Sequence, residues 1–165
     1  MNDVDILKKI EKKVLWLACW MIHNANHIRE NQDGLKVGGH QASSASIVSI
    51  MTALYFNILR PEDRVAVKPH ASPVFHAIQY LSGLQTKEKI ENFRGFGGAQ
   101  SYPSRTKDID DVDISTGSVG LGVAMTSFIS LIQDYVARKK FYKNKPLGRM
   151  IALVGDAELD EGNVY

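Results

Sequence analysis

The sequence predicts an α/β protein, a partial parallel sheet flanked by helices. Three observations point there. Apolar residues recur at steps of three and four in several segments long enough to be helices. Two short apolar runs, "RVAVK" and "GRMIALVGD", have the length and the flanks of buried strands. Helical segments lie between the two runs, the order of a parallel sheet with crossovers.

Taken in order, residues 4 to about 30 read as one long helix. Ile6, Ile10, Val14, Leu17 and Met21 form its apolar stripe, and Lys and Glu fill the other face. "NQDGLKVGGH" breaks it with turn formers and glycines. A second helix is expected from Ser43 or Ser44 to Asn57, carrying Ile47, Ile50, Met51, Leu54 and Tyr55. "RPED" is a turn, "RVAVK" a strand stopped by Pro69, and Ser72 to Leu81 a third helix with Gly83 just beyond its end. Thr86 suits the N-cap of a short helix in "TKEKIENF". "RGFGGAQSYPSRTKDIDDVD" has no period, and a loop of that length inside a compact domain is usually functional or disordered. A fifth helix is expected from about Ser118 to Tyr142, with apolar Val123, Phe128, Leu131, Ile132 and Tyr135. "GRMIALVGD" closes the series as a buried strand. Ligands of such sheets sit outside the carboxyl ends of the strands. His70 and Asp156 each follow a strand directly, so both belong to that edge.

Composition narrows the class. The 165 residues suit one domain with one core. Twenty basic and 18 acidic residues leave a net charge of +2, too balanced to indicate nucleic acid or an anionic membrane. Cys19 is the single cysteine, so no intramolecular disulfide is possible. Together with a charged, amphipathic N-terminus in place of a secretory signal, this leads to the expectation of a reducing compartment, the cytoplasm. No apolar run approaches the ~20 residues of a membrane span.

Several stretches have the residue types for chemistry. "GDAELDEGN" puts Asp156, Glu158, Asp160 and Glu161 on a turn after a strand. A carboxylate there is a natural ligand for a hard cation such as Mg²⁺; a solvated acidic helix start is the plain alternative. "STGSVGLG" places Gly117, Gly120 and Gly122 before a helix, where backbone N–H groups can hold an anion. Its spacing is not the dinucleotide fingerprint, and close helix packing explains the glycines equally. His40 and His70 lie in loops at the mouths of elements and suit a polar pocket. His23 and His27 read as residues of a helix surface or helix packing. Tyr102 and Arg105 could meet a ligand or serve loop packing and surface charge. Lys68 could pair with a phosphate or carboxylate, or end a strand. Trp16, Cys19 and Trp20 are expected to pack in the core.

Together, in this order, "GGHQAS", "KPHASP", "ENFR", "SYP", "STGSVGLG" and "LVGDAELDEG" resemble the N-terminal segment of transketolase-like thiamine diphosphate enzymes. Details such as "GGH-x-AS", "H-x-SP" and "GD-x-E-x-DE" look closest to the decarboxylating component of the homodimeric pyruvate dehydrogenase complex. The resemblance covers the whole chain. It implies a single incomplete diphosphate-binding domain over 1–165, with an N-terminal helical arm (1–35) and an α/β part (36–165). It implies thiamine diphosphate and Mg²⁺ as cofactors, with Asp156 as metal ligand. Ala157 takes the place of a glycine whose N–H meets the diphosphate, and Glu158 fits the pyruvate dehydrogenase version of the motif. His40 and His70 match active-site histidines, Tyr102 a tyrosine near the cofactor, and Gly117 and Val119 positions whose backbone meets the aminopyrimidine. Glu161 matches a glutamate that links the two sites of a homodimer. Ala157 and Lys68 depart from the family pattern, Lys68 standing where glutamine is usual.

The resemblance also implies absences. A second metal ligand, an asparagine, and the glutamate that activates the aminopyrimidine would lie beyond Tyr165. The chain is therefore expected to be a fragment or one half of a split enzyme, inactive alone and binding thiamine diphosphate weakly or not at all. Its exposed apolar surface is expected to promote self-association. The implied substrate is a 2-oxo acid. Transfer of a two-carbon ketol unit between sugar phosphates is the alternative, and a non-catalytic module with a degenerate site is the second.

Overall fold

The computed structural model describes residues 3–30, 34–141 and 146–165. Helix α1 (Asp3–His23) continues into a single wider turn, Asn24–Ile28, so the first expected helix is one helical rod. Val14, Leu17, Ala18 and Met21 are buried along one face. Trp16 does not join them: it is 61% exposed and stacks on Trp20, ring centroids 6.4 Å apart. At ~100° per residue, position 16 is about 200° from Val14 and points away from the stripe. Trp20 and Cys19 are half-buried, so core packing fails as an account of Trp16 and holds only in part for its two neighbours.

The second expected helix is two. Helix α2 (Gln41–Ala45) and helix α3 (Val48–Ala53) are separated at Ser46–Ile47, and Leu54–Ile58 adds another wide turn. Ser46 Oγ donates to Ser43 O at 3.0 Å, and Ile47 leaves helical geometry at ψ 0°. A serine that bonds back to the preceding turn gives the backbone this alternative to a continuous ladder.

Strand β1 (Arg64–Ala66) leads through a turn at Pro69–Ala71 into helix α4 (Ser72–Leu81), whose first eight residues are all buried. Gly83 ends it with φ 77°, and the Gly83 and Leu84 N–H groups donate to Tyr80 O and Gln79 O. That left-handed turn is where glycine is favoured. Thr86 caps helix α5 (Lys87–Glu91), accepting from Lys89 N at 3.4 Å. Helix α6 (Leu121–Arg138) starts three residues later than expected and ends four residues short of Tyr142, with Lys140 at a positive φ of 59°; Tyr142 itself lies outside the described residues. Strand β2 (Met150–Ala152) pairs with β1 in parallel, Val65 opposite Ile151, and the sheet has two strands among the described residues. The architecture is thus α/β, as the sequence predicts.

The core lies between α1, α3, α4 and β1, where Val14, Met21, Met51, Val65, Phe75 and Ile78 are buried together. Helix α6 rests on both strands from the other side. It buries only Thr126 and leaves Phe128, Leu131, Ile132 and Tyr135 more than half exposed. No helix among the described residues is long and apolar enough to cross a membrane.

Residues 94–113 form no regular element, as the missing period predicts, yet they are firmly tied. Asp108 accepts from Gln100 N and Ser104 N, each at 2.9 Å. The buried Asp110 carboxylate is bonded by His76 Nδ1 and by the Gln85 amide, and His76 Nε2 donates to Gln100 O at 2.7 Å.

A knot at the amino ends of the strands holds the sheet. Buried Asp63 accepts from Arg149 N at 2.7 Å and from Arg149 Nη2 at 2.5 Å, and Arg60 N adds a bond at 2.9 Å. The Arg149 guanidinium holds the Asp63 carboxyl far below the usual carboxylate range. A depressed folded pKa gives stability that is complete above the unfolded value of ~3.9 and is lost as pH falls toward the folded value. Asp63→Asn should therefore lower the urea midpoint at pH 7, and the difference from wild type should shrink as pH falls below about 4. Parallel pH profiles for the two proteins would contradict this role.

Candidate functional site

The knot occupies the amino ends of β1 and β2, so their carboxyl ends are free to carry a site. The first piece is the turn before α2. Asn26, on the wide turn after α1, clamps it by accepting from Gly38 N at 2.6 Å and donating to Gly39 O at 3.1 Å. A Cβ on Gly38 would lie 2.5 Å from Ile22 O, so only glycine permits this approach. His40 follows in the N-cap position of α2 with extended backbone and is exposed.

The second piece follows β1. His70 sits in the Pro69–Ala71 turn, exposed, and its carbonyl accepts from Ser44 Oγ at 3.1 Å. That bond fixes the His70 turn against α2. Thr116 Oγ1 donates to Val67 O at 2.5 Å and so anchors the glycine segment before α6 at the same edge. This brings Val119 beside His70.

The third piece follows β2. Residues 156–160 make a short tight helix. Glu158 is buried, and its Oε2 accepts from Gly155 N at 2.7 Å, so one carboxylate of the acidic turn secures the turn itself. Asp156, Ala157 and Glu161 are exposed, and no hydrogen bond or ion pair engages the Asp156 carboxylate among the described residues.

Two adjoining clefts collect these residues. One, of about 260 Å³, is lined by His40, His70, Tyr102, Arg94 and the glycines before α2. The other, of about 380 Å³, is lined by His70, Val119, Asp156, Ala157, Glu158, Glu161 and Lys68. Ser43 and His70 line both. Eight of the nine residues that the resemblance assigns to the site thus line one or other of these two adjoining clefts. Gly117 does not: it lines neither cleft and is open to solvent.

Arg94 lines the first cleft although no role is readable for it in the sequence. It has a positive φ of 61°, and its Nη1 donates to Val37 O at 2.7 Å. Desolvation lowers its pKa, and the neighbouring Tyr102 opposes that shift. Its place in "ENFR", ahead of a glycine-rich loop, is the one local signal.

The donors suit an anion held with a cation better than a cation alone. Among the described residues no group of three or more His, Cys, Asp or Glu side chains could hold a metal. Asp156 thus presents a carboxylate without a protein partner, among the described residues, to a cleft that Lys68 and His70 also line.

Over 97% of its length the chain is similar to proteins named pyruvate dehydrogenase E1 component. It is 27% identical over 171 aligned residues to that of Mycolicibacterium smegmatis, 30% to that of Pseudomonas aeruginosa and 26% to that of Escherichia coli. The chain spans 18% of the length of these relatives. No protein-family model matches it.

Proposed function

We propose, from this likeness to pyruvate dehydrogenase E1 components, that the chain is the diphosphate-holding segment of a thiamine diphosphate-dependent enzyme that decarboxylates a 2-oxo acid. The observation that carries the reading is the convergence of His40, His70, Tyr102, Val119, Asp156, Ala157 and Glu161 on two adjoining clefts, both lined by His70, which follows β1 of the parallel pair. Sites of α/β sheets lie at the carboxyl ends of strands, and these residues come from five separate parts of the chain.

The cofactor would supply the carbanion chemistry. The residues of this chain would bind and orient it. Asp156 would hold Mg²⁺ against the diphosphate, with the Ala157 N–H and its neighbours turned toward phosphate oxygens. Glu158 keeps that turn in shape through Gly155 N. His40 and His70 would carry protons near the reacting carbon, since imidazole titrates close to neutral pH. Arg94 and Tyr102 would close the far side of the first cleft. Glu161, exposed at the rim, would face a second subunit.

The activity would belong to a longer assembly, because the chain spans less than a fifth of its relatives' length. An assay of the longer protein for CO₂ release from pyruvate, with thiamine diphosphate, Mg²⁺ and an electron acceptor, tests the reading. Turnover of pyruvate is expected. Turnover of xylulose 5-phosphate with an aldose phosphate, and none of pyruvate, would overturn the 2-oxo acid in favour of ketol transfer.

The apolar face of α6 leads to a further expectation for the 165-residue chain alone. Four large apolar residues on one exposed helix face promote association. Sedimentation velocity should show species heavier than the 18.4 kDa monomer, rising with concentration. Replacing Leu131 and Ile132 by glutamate should return the chain to monomer. A wild-type monomer at all concentrations would contradict this.

A further inference from the structure

Lys68 stands out in the second cleft. Its side chain is half-buried, and among the described residues it makes no hydrogen bond and no ion pair. Its ammonium lies over Gly155. A Cβ built on Gly155 would lie 3.1 Å from Lys68 Nζ and 3.8 Å from Glu158 Oε2. The two side chains flank the same glycine, yet Glu158 is already engaged with Gly155 N–H and does not pair with the lysine. Lys68 also lines a narrow crevice with Thr116, Gly120, Gly122, Leu153 and Glu158. A cation without a protein partner beside a cleft is free to bond an incoming anion.

We propose that Lys68 is the resident cation of this cleft, bonding a phosphate oxygen of the bound diphosphate directly, so that anion binding here depends less on a divalent ion than Asp156 alone would require. The inference rests on the diphosphate reading above. Charge is the reason a lysine matters. A diphosphate entering between Asp156, Glu158 and Glu161 meets three carboxylates, and Lys68 offers a fixed opposite charge beside them. A glutamine at this position could donate a hydrogen bond but would leave the repulsion to the metal. A charge-assisted bond of this kind is roughly twice as strong as a neutral one.

The test uses inorganic pyrophosphate as the probe, followed by amide chemical shifts of the 165-residue chain, which report weak binding as well as tight. Wild type, Lys68→Gln and Lys68→Arg are titrated in EDTA and again in excess Mg²⁺. Wild type should bind in EDTA, with shifts centred on Gly155–Glu158. Lys68→Gln should bind about tenfold more weakly in EDTA and recover most of the loss with Mg²⁺, while Lys68→Arg stays near wild type. Equal binding of wild type and Lys68→Gln in EDTA would overturn the proposal. Wild-type binding only with Mg²⁺ would overturn it too, while leaving the diphosphate reading intact. No binding in any arm would remove both. The comparison of wild type with and without Mg²⁺ decides even if a variant fails to fold.

Discussion

Replacing Asp110 by alanine is expected to lower the thermal midpoint by on the order of 10 °C. The Asp110 side chain is fully buried and so is that of His76, its partner. His76 Nδ1 and the Gln85 amide both meet this carboxylate, and the other His76 nitrogen is already committed to Gln100 O. Removing the carboxylate leaves two buried polar groups facing nothing. Leaving a buried polar group without its partner costs about 1–3 kcal/mol, here twice over, and each kcal/mol shifts the midpoint of a chain this size by about 2–4 °C. Asp111→Ala is the control. Its side chain is exposed, and surface changes of that kind stay within about 0.5 kcal/mol. The damage should also be local. Amides of residues 94–113 should lose exchange protection first, since Asp110 and Asp108 hold that loop, and the loop carries Tyr102. A midpoint for Asp110→Ala within 2 °C or so of the Asp111→Ala control would refute the role given to the network.

The second large effect concerns binding. Asp156→Asn should weaken Mg²⁺-dependent binding of thiamine diphosphate roughly 10- to 100-fold, the equivalent of the 1.5–3 kcal/mol that a contact to a charged group contributes. Stability should barely change, because the Asp156 side chain is exposed and holds nothing in the fold. Asp160 belongs to the same acidic turn but lines neither cleft. Asp160→Asn should therefore leave affinity unchanged, which separates a positioned ligand from a general acidic field. Titration of the two variants, followed by amide shifts in the presence of Mg²⁺, measures both. Equal losses for the two would point to bulk charge and against a metal ligand at 156.

What the sequence revealed and what it hid divides along a physical line. Helix α4 was legible almost to the residue, because Ser72, Pro73 and Gly83 are local punctuation. Both strands were legible as continuous apolar runs, but β1 alone has buried residues; the three residues of β2, expected to be buried, are half-buried. The candidates His70 and Asp156 were picked from loops that follow those strands, a position that chain order alone fixes. The break at Ser46–Ile47 was hidden: the apolar spacing across it is still helical, and only the backward bond of Ser46 interrupts the ladder. The exposure of Trp16 was written in its angle from Val14, but its size argued for burial. Arg94 and the His76–Asp110 pair were the least visible. They depend on contacts between segments far apart in the chain, 34 residues in the case of His76 and Asp110, and no local pattern encodes such a pairing.

The most direct test of the central claim is an amide map of the 165-residue chain titrated with thiamine diphosphate in excess Mg²⁺. Weak, saturable binding is predicted, with the largest shifts at Val119 and Gly155–Glu161 and at the amides around His40 and His70. Shifts confined to another face, or no shifts at all at millimolar cofactor, would contradict a diphosphate site at the carboxyl ends of β1 and β2.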